Sequence, residues 1–136
     1  MPDDATTTLM HTSMPFTEQL GVVASAGEPD EVVASLSWDE SLCTVGGLMH
    51  GGVLMSLADS TGAVCAFLNL PDAAVGTSTI ESKTNFLGAV TGGEVVARST
   101  PLHVGGSTIV VETEVRAGDR LVAKVTQTQA VLRPRS

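Results

Sequence analysis

Gly51-Gly52-Val53-Leu54-Met55-Ser56-Leu57-Ala58-Asp59-Ser60-Thr61-Gly62-Ala63-Val64-Cys65-Ala66-Phe67-Leu68 is the stretch on which the fold turns. It reads as one long helix that starts at His50 or Gly51 and is ended by Asn69-Leu70-Pro71-Asp72. Apolar side chains occupy most of its circumference, so the helix belongs inside a fold and not on its surface. Asp59 is the only charged residue between Gly51 and Leu70. At about 100° per residue, Gly52, Ser56, Asp59, Ser60 and Ala63 share one narrow arc.

Beyond the helix the apolar period changes from helical to two. Val75–Leu87, Val95–Val104, Thr108–Arg116 and Leu121–Leu132 read as strands, joined by turns at Gly92-Gly93, Gly105-Gly106 and Ala117-Gly118-Asp119. Ile109, Val111, Thr113 and Val115 share one face of the third of these. Tight turns between successive strands predict an antiparallel meander. Before the helix, Pro15–Leu20 suits a short helix. Leu20–Ser25 and Val32–Trp38 suit two strands around the turn Gly27-Glu28-Pro29-Asp30. Residues 1–13, polar and rich in Thr, are expected to be a flexible tail, and 14–136 a single domain. The expected class is α+β, an antiparallel sheet wrapped around one long central helix. Such a sheet leaves edges uncovered, so a partner subunit is expected.

Composition bounds the function. The net charge of −8 argues against nucleic acid, which needs clustered Lys and Arg. All seven basic residues lie in the C-terminal part: Lys83, Arg98, Arg116, Arg120, Lys124, Arg133 and Arg135. They are the only cations available to an anionic ligand. Cys43 and Cys65 form neither a disulfide framework nor a metal site, and Cys65 reads as a small core residue. The N-terminus, with Asp3 and Asp4, has no secretory pattern, and no apolar run is read as long enough to span a bilayer. A cytoplasmic setting without membrane association is expected.

Two features carry chemistry. A partly buried Asp59 would have its pKa raised by desolvation, which suits a general base or nucleophile. The alternative is an amphipathic helix with one modest wet stripe. At the helix start, His50-Gly51-Gly52 offers free N–H groups and the positive end of the helix dipole, suited to a developing oxyanion. A plain glycine-rich helix entry is the bland alternative. Gly51 and Asp59 are separated along one helix by about 12 Å, at roughly 1.5 Å per residue. One reacting carbon cannot touch both, so a shared reaction needs two subunits with antiparallel helices.

Gly47-Leu48-Met49-His50-Gly51-Gly52-Val53-Leu54-Met55-Ser56-Leu57-Ala58-Asp59 resembles the signature of PaaI-like (phenylacetic acid degradation type) hotdog-fold acyl-CoA thioesterases. Thr79-Ile80-Glu81-Ser82-Lys83-Thr84-Asn85-Phe86-Leu87 resembles the family's next strand, and Leu102–Thr108 its following turn. The resemblance spans roughly residues 15–132. It implies hydrolysis of an acyl-CoA thioester, aryl or medium- to long-chain, to free acid and CoA, without metal or cofactor. It implies a homodimer, and dimers pairing into a tetramer. Gly51 N–H would polarise the carbonyl, Asp59 would act as base or nucleophile, and His50 would support the helix start. Thr79, or adjacent Ser78, would orient water or the carboxylate. Gly52, Met55 and the turn Gly105-Gly106-Ser107 would meet the substrate, with Lys83, Arg98 and Arg116 as candidate phosphate contacts. The chain departs from the family pattern at Thr44, where relatives carry Asn, and at Gly88-Ala89, where they carry Arg-Pro.

Two other readings compete. A hotdog hydratase or dehydratase would pair a His with an acid, but neither His50 nor His103 makes an evident dyad with Asp59. A non-catalytic acyl-CoA-binding module would have little use for a lone carboxylate on a buried helix, which is costly to keep there.

Overall fold

The computed structural model describes residues 1–135. Its elements are α1 (Asp4–Ser13), α2 (Pro15–Leu20), β1 (Val23–Glu28), β2 (Glu31–Ser37), α3 (Gly51–Leu68), β3 (Gly76–Phe86), β4 (Glu94–Val104), β5 (Thr108–Ala117) and β6 (Arg120–Leu132). Two short 3₁₀ turns, Glu40–Leu42 and Val45–Gly47, lead into α3. The strands form one antiparallel sheet in the order β1-β2-β4-β5-β6-β3, and α3 lies across it, packed on strands from both halves. This is the hotdog fold.

The period-two strands deliver what they promise. Ile109, Val111, Thr113 and Val115 on β5 are all buried. Ile109, Val111 and Val115 join Val32, Ala34 and Leu36 of β2 and Leu54, Leu57, Ala58 and Ala66 of α3 in one core. Cys65 belongs to it, and burial pushes its thiol up to about 11, which keeps it protonated and inert.

Three expectations give way. Residues 1–13 are not a loose tail, because they contain α1. Asp3 caps this helix, accepting from Thr6 N at 2.9 Å and Thr6 Oγ1 at 2.8 Å, and Met10 is fully buried. Its threonines are polar but occupied. Thr7 Oγ1 accepts from Ala24 N at 2.9 Å, and Asp3 N donates to Ala24 O at 2.8 Å. The start of α1 therefore satisfies the outer edge of β1.

The meander is also incomplete. β4, β5 and β6 are consecutive neighbours, but β3 pairs with β6 and not with β4. After β3 the chain crosses the end of the sheet through Leu87–Gly93. That segment is held by Leu87 N to Val122 O and Met49 N to Val90 O, both at 2.8 Å. Gly92-Gly93 shapes only the last corner before β4, with Gly93 at φ 73°. Lastly, α3 does reach the length of a membrane span, with 18 residues and a mean hydropathy of 1.4. Half of that stretch is buried inside the fold, as befits a core helix.

Candidate active site

The solvent-reaching stripe of α3 runs along Gly52, Met55, Ser56, Asp59, Ala63 and Phe67, of which Met55, Asp59 and Phe67 are exposed and the others half-buried, and Ser60 turns instead into the core. This stripe faces β3, whose inward positions follow from its pairing with β6. Thr79 pairs with Gln129, Ser82 with Gln127 and Thr84 with Val125. Gln127, Gln129 and Val125 are buried, so their cross-strand partners share the helix-facing side. Ile80 makes a bulge that resets this alternation. Ser78 pairs with Ala130 on the opposite face. Of the two hydroxyls that sequence left open, Thr79 is the one beside Asp59.

Gln127 Nε2 donates to Asp59 Oδ1 at 3.3 Å. Gln129 Nε2 donates to Thr79 Oγ1 at 2.7 Å, which occupies an acceptor site there and leaves the hydroxyl proton free to turn toward Asp59. Desolvation raises the Asp59 pKa, and Gln127 and Thr79 pull it back in part. The residue keeps solvent access along the open groove in the single chain, while β3 and β6 crowd water from its inner flank. Neither His50 nor His103 contributes to its shift.

Gln127 and Gln129 were not singled out from sequence. The signal was present: Val125, Gln127, Gln129 and Val131 alternate onto one face of a core strand, and two amides there demand partners. Gln127 Oε1 finds no donor among the described residues, and leaving a buried carbonyl unpaired costs about 1–3 kcal/mol. Gly62, opposite it in mid-helix, forgoes about 1 kcal/mol relative to Ala. A Cβ there would lie 2.1 Å from that Oε1, so the glycine makes the space.

At the other end of the groove, His50 is the N-cap of α3 and its Nδ1 accepts from Gly52 N at 2.8 Å. A Cβ on Gly52 would stand 2.9 Å from that nitrogen, so Gly52 permits the cap. Gly51 N–H has no acceptor among the described residues. The Phe86 ring lies over Gly51, 3.1 Å from where a Cβ would stand. Thr44 precedes the second 3₁₀ turn, is exposed, and makes no side-chain cap bond there. The His50 ring is thus oriented by Gly52.

The other sequence candidates scatter. Lys83 pairs with Thr126 on the outer sheet face. Arg98 is engaged with Glu31 at 2.7 Å. The turn Gly105-Gly106-Ser107 sits at the far end of the sheet, where Val131 N donates to Ser107 O at 2.9 Å and Arg133 Nη2 to Gly106 O at 3.0 Å. Arg120 extends over Gly88 and donates to Ala89 O at 3.0 Å, close to the Phe86 end of the groove. A cavity of about 300 Å³ opens between α1, the last turns of α3 and the start of β3, lined by Leu9, Met14, Ala63, Phe67 and Thr77 among others. Met55 is on the same helix stripe but outside that cavity. Among the described residues no group of His, Cys, Asp and Glu could hold a metal.

An apolar helix bearing one carboxylate, embraced by an antiparallel sheet, defines a hotdog-fold protein. A family model, Thioesterase superfamily, matches residues 46–124. A predicted esterase of Saccharolobus solfataricus is 35% identical over 107 residues, covering 78% of this chain and 75% of that protein. A Haemophilus influenzae thioesterase superposes with TM-score 0.84 at 26% identity, covering 92% of this chain and 88% of that one. A phenylacetic acid degradation-related protein from Ralstonia eutropha shares the fold, with TM-score 0.80 at 22% identity over 87% of this chain and 90% of that one. The chain belongs to the Thioesterase superfamily and has its hotdog fold.

Proposed function

We propose that this protein hydrolyses acyl-CoA thioesters to a free acid and CoA in a site shared by two protomers. The observation that carries the reading is Asp59, the one charged group on the open stripe of α3. It is desolvated enough to raise its pKa and is held by a buried amide. Asp59 acts as general base on water, or attacks the carbonyl itself through an anhydride. In the base route, water oxygen bonds the carbonyl carbon, its proton passes to Asp59, and the C–S bond breaks to release CoA thiolate. Gly51 N–H of the partner protomer stabilises the oxyanion at the positive end of its helix.

The two-protomer arrangement is supported by what β3 leaves open. Its free edge carries the exposed apolar residues Ile80 and Phe86, and the facing helix stripe exposes Met55 and Phe67. A two-fold axis across this face would bring Gly51 of one α3 toward Asp59 of the other. The 300 Å³ cavity continues the stripe beyond Asp59 through Ala63 and Phe67. It suits an aryl or medium-chain acyl group, since roughly 150 Å³ already holds benzene. No metal or cofactor takes part, and the free thiols Cys43 and Cys65 suit a reducing cytoplasm.

The test is thiol release from a panel of acyl-CoAs, acetyl to long-chain and aryl, with Asp59→Ala in parallel. Release from some member, and a loss of at least about a hundredfold in the variant, is expected. Equal turnover by Asp59→Ala removes this residue from the mechanism. Tight acyl-CoA binding with no release by the unaltered protein would replace hydrolysis with a binding module.

A further inference from the structure

Gln127 is fully buried on β6. Its amide is wedged against α3, with Nε2 3.3 Å from Asp59 Oδ1 and Oε1 in the notch left by Gly62. An amide can present either nitrogen or oxygen, but an ionised carboxylate only accepts. The NH₂ must therefore face Asp59, and the carbonyl is left against Gly62 with no donor among the described residues. A buried glutamine with one unmatched end, opposite a mid-helix glycine, is a poor solution for packing alone. It is a good one for holding a carboxylate.

We propose that Gln127 is the positioning residue of Asp59: seated in the Gly62 notch, it fixes one carboxylate oxygen and leaves the other aimed along the groove toward the scissile carbonyl. Gln129 does the same at one remove, by holding Thr79. The bond from Gln127 is long enough to tighten when a substrate closes the groove. This rests on the hydrolytic reading of Asp59, and deepens it.

The surroundings isolate this effect. No charged side chain adds to the Asp59 shift. On α3 there is no second charge. On β3, Glu81 and Lys83 pair with Thr128 and Thr126 on the outer face. On β6, Lys124 is bound to Glu112 and Glu114. On α1, His11 is engaged with Val22 O. Removing the Gln127 amide therefore acts on Asp59 directly.

Gln127→Met keeps the length of the side chain and deletes the donor. We expect kcat on the best acyl-CoA to fall roughly ten- to a hundredfold, the scale of a misplaced reacting group, with KM unchanged. The acid limb of kcat/KM should move to higher pH, because the lost bond favoured the ionised form. Gly62→Ala touches neither Asp59 nor the acyl chain, yet its Cβ must expel the Gln127 amide, so it should move the acid limb in the same direction. A ¹³C NMR titration of the Asp59 carboxyl, assigned by its loss in Asp59→Asn, reads the same coupling without substrate. Should both variants keep the unaltered acid limb and the unaltered titration, the proposal is overturned. If no acyl-CoA is hydrolysed but both variants raise the titration midpoint, Gln127 does hold Asp59 and hydrolysis is the part that fails.

Discussion

In the proposed reaction, Asp59 sets stability against activity at one side chain. Its folded pKa is raised by desolvation, so the folded state holds this proton more tightly than the unfolded chain does. Between the unfolded and folded pKa values the native protein binds more protons, and stability falls as pH rises through that window. Above it the penalty of the partly desolvated charge is fully present. Asp59→Asn should therefore raise the melting temperature at neutral pH while abolishing thiol release, and the gain should vanish below the ordinary carboxylate range. The margin should be small, because the residue keeps solvent access. Thermal melts of both proteins across pH 3–8 check the sign, and a variant melting lower at neutral pH contradicts the desolvated carboxylate. The sequence singles this residue out as the lone charge on an apolar helix, while periodicity alone leaves a modest wet stripe as an equal alternative. Its supports are not legible there. Gln127 and Gln129 lie 68 and 50 residues from the groups they meet, and only the packing of α3 on β6 and the β3–β6 pairing place them there.

The N-terminus of α3 can be tested as an element, because its donor can be deleted without breaking the helix. Pro is favoured at the first helical position, and residue 50 already has the extended backbone that a following Pro requires, at φ −61° and ψ 134°. Gly51→Pro should leave the fold intact with a modest shift of Phe86. It should also cost about 10²–10³ in kcat through the missing oxyanion donor. Far-UV circular dichroism and initial rates check both halves, and an unaffected kcat would place the oxyanion elsewhere. Helix α3 and the strands were readable element by element, since each had its own period and its own turns. What local pattern did not give was partnership. β3 ends near a Gly-Gly corner that suggests a hairpin with β4, but its hydroxyl-bearing inner face belongs beside the glutamines of β6. Likewise α1 was masked by threonines, which are polar in the sequence yet occupied by Asp3 and the edge of β1.

At the scale of the whole molecule, α1 and β3 together would decide how copies meet in the proposed dimer. Backbone groups at Ala24 on the outer edge of β1 are already bonded to the start of α1, which blunts that edge against addition of another strand. The outer edge of β3 has no such cover among the described residues, so a second copy should add there and bring the two α3 helices together. A shared site of this kind makes a prediction that a self-contained site cannot imitate. Asp59→Asn and Gly51→Pro should each be inactive alone. Mixed, unfolded and refolded together, half of the dimers should pair one of each. Each such dimer rebuilds one complete site, from the Gly51 of the first protomer and the Asp59 of the second, and leaves its other site doubly damaged. Thiol release should therefore return to about a quarter of the unaltered rate at equal mixing, the value set by two-fold symmetry and random pairing. Recovery should follow the product of the two mole fractions as the ratio is varied. A mixture that stays as inactive as its components would mean that each chain carries its own oxyanion donor and its own carboxylate, which the length of α3 between Gly51 and Asp59 forbids for one reacting carbon.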